Sequence, residues 1–160
     1  MRIPIFLIFF SFFISNSFSI KGQTLIETQD WINSVLSSNE FYDIDVSQTY
    51  YLKIGYDNFI ISNISRNNFN GKIITLQENC VIAFNDLYNL EFKENENNIW
   101  LTFISKNYFV LKFDDKYENV RSYSIILSKK LNQNNMKERL VNALKHGMFI
   151  NGYKLPISKF

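Results

Sequence analysis

From about residue 41 to residue 128, apolar and polar side chains alternate with a period of two. Successive side chains of an extended strand point to opposite faces, so this pattern commits the chain to a sheet with one buried face. In residues 49–56, Tyr50, Leu52, Ile54 and Tyr56 alternate with Tyr51, Lys53 and Gly55. Further strands are expected at 59–64, 73–77, 80–84, 87–93, 99–104, 108–113 and 122–128, about eight in all. Asp57-Asn58 and Asn70-Gly71 supply turn residues between them. In 87–93, Tyr88, Leu90 and Phe92 face one way, and Asn89, Glu91 and Lys93 the other. Residues 99–104 are apolar on both faces, the mark of a central strand. No Pro interrupts the series. Many strands in sequence, joined by short turns, give an antiparallel meander curled into a small barrel or sandwich.

Helical spacing brackets the strands. Thr24 and Glu27 stand at the separation of a capping box, in which side chain and backbone bond reciprocally. Leu25, Trp31, Ile32, Val35 and Leu36 then form one apolar stripe, and the helix should stop near Ser38-Asn39. A second amphipathic helix is expected over about 136–150. Asn135 is placed to cap it with Glu138, and Asn151-Gly152 to end it. Its apolar face is Met136, Leu140, Ala143, Leu144, Gly147 and Met148, with Lys137, Arg139, Lys145 and His146 mostly away from it. Gly147 on that face permits close approach to the sheet, at a cost of about 1 kcal/mol relative to Ala. The fold class is therefore mainly β with flanking helices. A short N-terminal helix precedes the meander and a C-terminal amphipathic helix caps it.

This order of elements resembles the pleckstrin-homology-like barrel. The segments VIAFNDLYNLEFKE and KERLVNALKHGMFINGYK look like small exported bacterial proteins of that design, a group with no assigned function to carry over. The resemblance covers most of residues 41–152 and implies a barrel closed by its C-terminal helix. It does not extend to phosphoinositide headgroup binding, because Lys53 is the sole Lys or Arg in residues 50–64.

The N-terminus fixes the expected compartment. Arg2 precedes an apolar run from Ile3 to Ile14, broken by Pro4 and Ser11, and Ser17 and Ser19 provide small residues beyond it. This is the layout of a secretory signal peptide, cleaved after Ser19 or Gly22. The run is shorter than the roughly 20 residues that span a bilayer. The chain is expected to be exported, to the periplasm or outside the cell. Residues 23–160 would then form a single β-rich domain with no membrane span after cleavage.

Composition excludes several classes of function. Loss of Arg2 and Lys21 would leave 15 Lys+Arg against 15 Asp+Glu, a neutral protein without the basic footprint of a nucleic-acid binder. The charge is uneven: residues 129–160 hold seven Lys and Arg and one Glu. Cys80 is the sole cysteine, so no internal disulfide forms, and in the apolar run CVIAF it is expected to be buried. His146 is the sole histidine, on a Lys-flanked helix where a cation suits the dipole. Asp43/Asp45 and Asp114/Asp115 lack the ligand spacing of a calcium loop. Asn63-Ile64-Ser65 matches the N-glycosylation pattern, which carries no weight in a bacterial chain.

No catalytic residue, metal ligand or cofactor site is assigned. Aromatic residues are the remaining ligand candidates: Tyr50, Tyr51, Tyr56, Tyr88, Trp100 and Tyr108, although strands favour aromatics for packing alone. The expected function is that of an exported, non-catalytic binding or interaction module, its partner a protein or a small ligand. The alternative is a small hydrolase with an unrecognised carboxylate-based site. Mass measurement of the exported protein should show loss of about 2 kDa on signal removal. An intact N-terminus in the membrane fraction would reject cleavage.

Overall fold

The computed structural model describes residues 24–155, apart from 44, 70 and 71. The expected signal peptide (1–22) and the Asn70-Gly71 turn lie outside the described residues. Helix α1 (Leu25–Ser38) opens the fold, with the expected capping box in place. The Glu27 N–H donates to Thr24 Oγ1 (3.2 Å), and the Thr24 N–H donates to Glu27 Oε2 (2.8 Å). Seven strands follow: β1 (Phe41–Tyr42), β2 (Val46–Ile54), β3 (Asn58–Phe69), β4 (Lys72–Ala83), β5 (Leu87–Glu94), β6 (Asn98–Phe113) and β7 (Lys116–Ser128). A 3-10 segment (Lys129–Asn135) leads into helix α2 (Met136–Ile150).

All seven strands join one antiparallel sheet, curled into a half-barrel rather than stacked as a sandwich. β6 is the spine. One edge pairs with β7 along most of its length. The other edge pairs with β5 (Ile99 to Ser105) and, further along, with β4 (Val110 to Phe113). β4 and β5 therefore run end to end, as one strand broken at residues 84–86. With that pair taken as a unit, the sheet is the expected meander.

The expected eight strands become seven for two reasons. Residues 73–77 and 80–84 belong to one strand, because the polar residues Glu78 and Asn79 remain in the ladder, opposite Asn63 and Ser62. Residues 99–104 and 108–113 also belong to one strand. Between them the register shifts, and Ser105 and Asn107 bond to Asp86 at the β4–β5 break. The short strand β1 is the addition. A second register shift, between Leu87 and Asn89, turns Tyr88 outward and leaves Leu87 buried, which corrects the simple alternation expected for 87–93. The first hairpin turns on Tyr56-Asp57 rather than Asp57-Asn58, since the Gly55 N–H already bonds to Asn58 O (2.8 Å).

The two ends of the meander nearly meet. Glu40 bridges to Leu127, and the Ser128 N–H donates to Asn39 O (2.9 Å). The Tyr50 hydroxyl accepts from the Ile126 N–H (3.3 Å), a side-chain bond where a ladder would otherwise run. Further along β2 the partner is α1. The Leu52 N–H donates to Asn33 Oδ1 (2.7 Å), and Asn33 Nδ2 donates to Leu52 O (3.0 Å). The Ile54 N–H donates to Gln29 Oε1 (2.8 Å). Unpaired backbone groups on a sheet edge invite foreign strands, and these amide side chains occupy them.

The core lies inside the curl. Phe59 packs edge-on against Phe84 and Phe103, with centroids 4.6 and 6.4 Å away. Ile32, Val35 and Leu36 of α1 and Leu140, Val141, Leu144 and Met148 of α2 close it from the helical side. Gly147 has the expected role: a Cβ there would sit 2.8 Å from Ile54 Cδ1. The expected cap at Asn135 does not form. Asn134 and Asn135 both adopt left-handed backbone (φ 55° and 56°), which turns the Asn135 side chain from the helix start. Gly152, at φ 81°, ends α2 as expected.

Urea melts of three variants test this packing. Leu144→Ala should cost about 2–5 kcal/mol. Asn33→Ala, which leaves the Leu52 peptide groups unpaired, should cost about 1–3 kcal/mol. Lys53→Ala on the exposed face should change stability by less than about 0.5 kcal/mol. Equal, negligible effects from all three would mean that neither helix is docked.

Candidate functional site

A polar cluster lies on the inner face of the curl. Strand alternation places Glu78 on the same face as the buried Cys80 and Ile82. Its Oε1 accepts from Asn63 Nδ2 (2.9 Å) and from the Tyr123 hydroxyl (2.9 Å). Tyr50, opposite Asn63 on β2, donates to Gln48 Oε1. Burial pushes the Tyr50 hydroxyl up to about 12, the Ile126 N–H opposes this, and the Glu78 charge adds to it. Burial and then Glu78 push the Cys80 thiol up to about 12. The same two causes raise Tyr123. These groups hold their protons at neutral pH. The cluster is a structural tie across β2, β3, β4 and β7. Asn63, the residue of the glycosylation pattern, is buried in it, so the fold leaves no room there for a glycan.

The other residues singled out in the sequence do not converge. Asp43 and Asp45 border a shallow depression of about 240 Å³ with Arg66. Asp114 and Asp115 form the β6–β7 turn, Asp114 at φ 51°. Among the described residues, no three His, Cys, Asp or Glu side chains come together. Of the aromatic candidates, Tyr50 is buried and Trp100 half-buried, while Tyr51, Tyr56, Tyr88 and Tyr108 are exposed. Packing therefore accounts for only two of the six.

One concavity lies between the helices. Trp31 of α1 faces Arg139, Asn142, Ala143, Lys145, His146 and Phe149 of α2 across an open groove of about 520 Å³. Arg139, Asn142, His146 and Phe149 recur at three- and four-residue steps, which puts them in one row on the helix. The Arg139 guanidinium lies over the Trp31 ring, 5.4 Å from its centroid, and has no carboxylate partner among the described residues. His146 Nε2 is buried in the groove wall without a hydrogen-bond partner. Among the described residues, no acidic side chain lines this groove. On the other flank of α2, Lys137 pairs with Glu94 and lies over Phe92 (5.8 Å), and Lys137 and Asn132 together hold the Glu94 carboxyl below the usual range. The sequence placed Trp31 in an apolar stripe and the basic residues on a solvated face. The signal that joins them, one aromatic and one Arg on helices that must both cover the same sheet, needed the packing of α1 on α2.

No known family, characterised protein or solved structure matches the chain. Among the described residues, no helix is long and apolar enough to cross a membrane.

The inner cluster makes the protein alkali-sensitive. In an unfolded chain the thiol and the phenols begin to ionise near their ordinary values of 9 and 10. In the native state Cys80 and Tyr50 hold their protons to about 12. The unfolded state therefore loses protons first as pH rises. Stability from this source is full below about pH 9 and falls toward pH 12, and Tyr123→Phe should flatten the fall in urea midpoint. A thiol reagent should label Cys80 only after denaturation, and rapid labelling of the native protein would contradict its burial.

Proposed function

We propose that the chain is an exported, non-catalytic binding module of pleckstrin-homology-like design whose α1–α2 groove takes a carboxylate-bearing segment of a partner protein. The observation that carries this reading is Arg139 over Trp31 in a groove that no acidic side chain of the described residues lines, with an unpaired His146 nitrogen behind its wall. His146 Nε2 is buried without a partner, and Arg139 has no carboxylate beside it among the described residues. A buried polar atom left unpaired costs about 1–3 kcal/mol, so a ligand oxygen that reached it would recover that cost. Trp31 and Phe149 offer apolar contact alongside. The curled sheet and its C-terminal helix support the pleckstrin-homology-like description, and the basic balance of residues 129–160 supports an anionic partner.

Trp31 provides the readout. In a Trp100→Phe background, titration with a short peptide of alternating Glu and Leu should change Trp31 fluorescence, and salt should weaken the effect. Arg139→Gln should weaken binding by at least about tenfold, since hydrogen bonds to charged groups contribute about 1.5–3 kcal/mol. His146→Phe, which fills the wall without a polar atom, should act in the same direction. Arg139→Gln should leave the urea midpoint nearly unchanged, and His146→Phe should not lower it, because it removes the unpaired atom. No binding of the acidic peptide, or binding indifferent to both substitutions, would overturn the assignment of the groove.

A further inference from the structure

Among the described residues, the far half of β4 has no strand partner on its outer edge. Its ladder to β6 ends at Glu78 opposite Phe113, while β4 itself begins at Lys72. Residues 72–77 are exposed, including Ile73, Ile74 and Leu76. At about 3.3 Å per residue this is a free edge of roughly 20 Å. The sequence KIITLQ is β-branched and apolar, with one charge and no Pro, the composition that promotes strand pairing. On β2, Asn33 and Gln29 of α1 bond to the edge peptide groups. Along residues 72–77 no helix of the described residues does so.

We propose that this edge pairs with the same edge of a second copy, in an antiparallel two-fold dimer centred on Ile74. Two constraints select this register. Residues opposite one another must share a face of the sheet, so a two-fold axis must pass through a residue and not between residues. The β6–β7 turn then sets a stop. Since Phe113 pairs with Glu78, Asp114 stands level with Gln77, and an incoming strand can reach only as far as Leu76. Centring on Ile74 satisfies both constraints. Ile74 faces its own copy, Ile73 faces Thr75, and Lys72 lies opposite Leu76. The Lys72 ammonium of each copy then arrives beside Asp114 and Asp115 of the other. The sole charge on the edge thus meets the acidic turn that limits the ladder. Centring on Thr75 would instead drive the incoming Ile73 into the place of Asp114. The two-fold axis makes residues 72–76 of each copy pair once with the same residues of the other, so this contact is used up at two copies.

A ladder this short buries less than the roughly 800 Å² per partner of a standard interface, so the dimer is reversible. Sedimentation of the exported protein from 1 µM to 1 mM, about that expected range, should show a monomer–dimer equilibrium. Ile74→Lys, which sets two ammonium groups face to face at an exposed position, should raise the dissociation constant by at least about tenfold and leave the urea midpoint unchanged. Ile74→Cys should crosslink to itself under mild oxidation, because directly opposed residues lie within disulfide reach and Cys80 is buried. Ile73→Cys alone should not crosslink efficiently, whereas a mixture of Ile73→Cys and Thr75→Cys should. A wild-type monomer throughout, a dimer indifferent to Ile74→Lys, or assemblies larger than two would each overturn the proposal.

Discussion

Asn33 both donates to and accepts from the main chain of Leu52, and this one residue decides how the half-barrel ends. A curled sheet of seven strands must either complete its circle or leave an edge. Here Glu40, just before β1, bridges to Leu127 of β7, but β2 has no ladder to β7, and its peptide groups at Leu52 and Ile54 face a helix. An asparagine amide presents a donor and an acceptor together, as a strand residue does, so Asn33 stands in for the absent ladder. One helical turn earlier Gln29 supplies an acceptor alone, to the Ile54 N–H. The bonds hold α1 in one orientation over the core, with Ile32, Val35 and Leu36 inward and Trp31 toward α2. The groove between the helices is therefore a consequence of how an edge of the sheet is closed.

Glu78 marks the other limit of the core. Toward β5 from this residue the inner face of β4 is Cys80 and Ile82, both fully buried. Toward the β3–β4 tip it is Leu76 and Ile74, partly exposed. A carboxylate at that boundary is tolerable because Asn63 and Tyr123 both donate to it, and charge-assisted bonds offset much of its loss of water. Burial, and after it the same charge, opposes ionisation of Tyr50, Cys80 and Tyr123.

The sequence showed what local periodicity and capping chemistry can show. The meander, both helices, the Thr24–Glu27 box, the burial of Cys80 and the close approach at Gly147 all follow from spacing. What it hid were choices between equally local readings. Glu78-Asn79 has the composition of a turn, and only the neighbours Asn63 and Tyr123, distant in the chain, make a strand interior acceptable for it. Ser105 and Asn107 likewise read as a loop until Asp86 bonds to both. Asn135 has the chemistry of a cap, but two consecutive left-handed residues spend it on a chain reversal. The groove was invisible because it belongs to neither helix. Arg139 and His146 look solvated on α2 alone, and Trp31 looks like core on α1 alone.

The groove and the free edge lie at different levels of the sheet. The helices attach where β2 ends, through Leu52, Ile54 and the bond from Asn151 Nδ2 to Gly55 O (3.2 Å). The unpaired part of β4 lies beside the last residues of β3, a strand of 12 residues that begins near that same attachment. At about 3.3 Å per residue, several turns of helix would fit in the interval. Occupying one surface would thus not cover the other. A two-fold pair joined at its β4 edges would carry two grooves, and a partner that presented two acidic segments could engage both. The second contact would then be intramolecular, set by an effective concentration instead of a bulk one. Weak pairing at the edge and weak capture in the groove would reinforce each other, because each bivalent partner would also hold the two copies together.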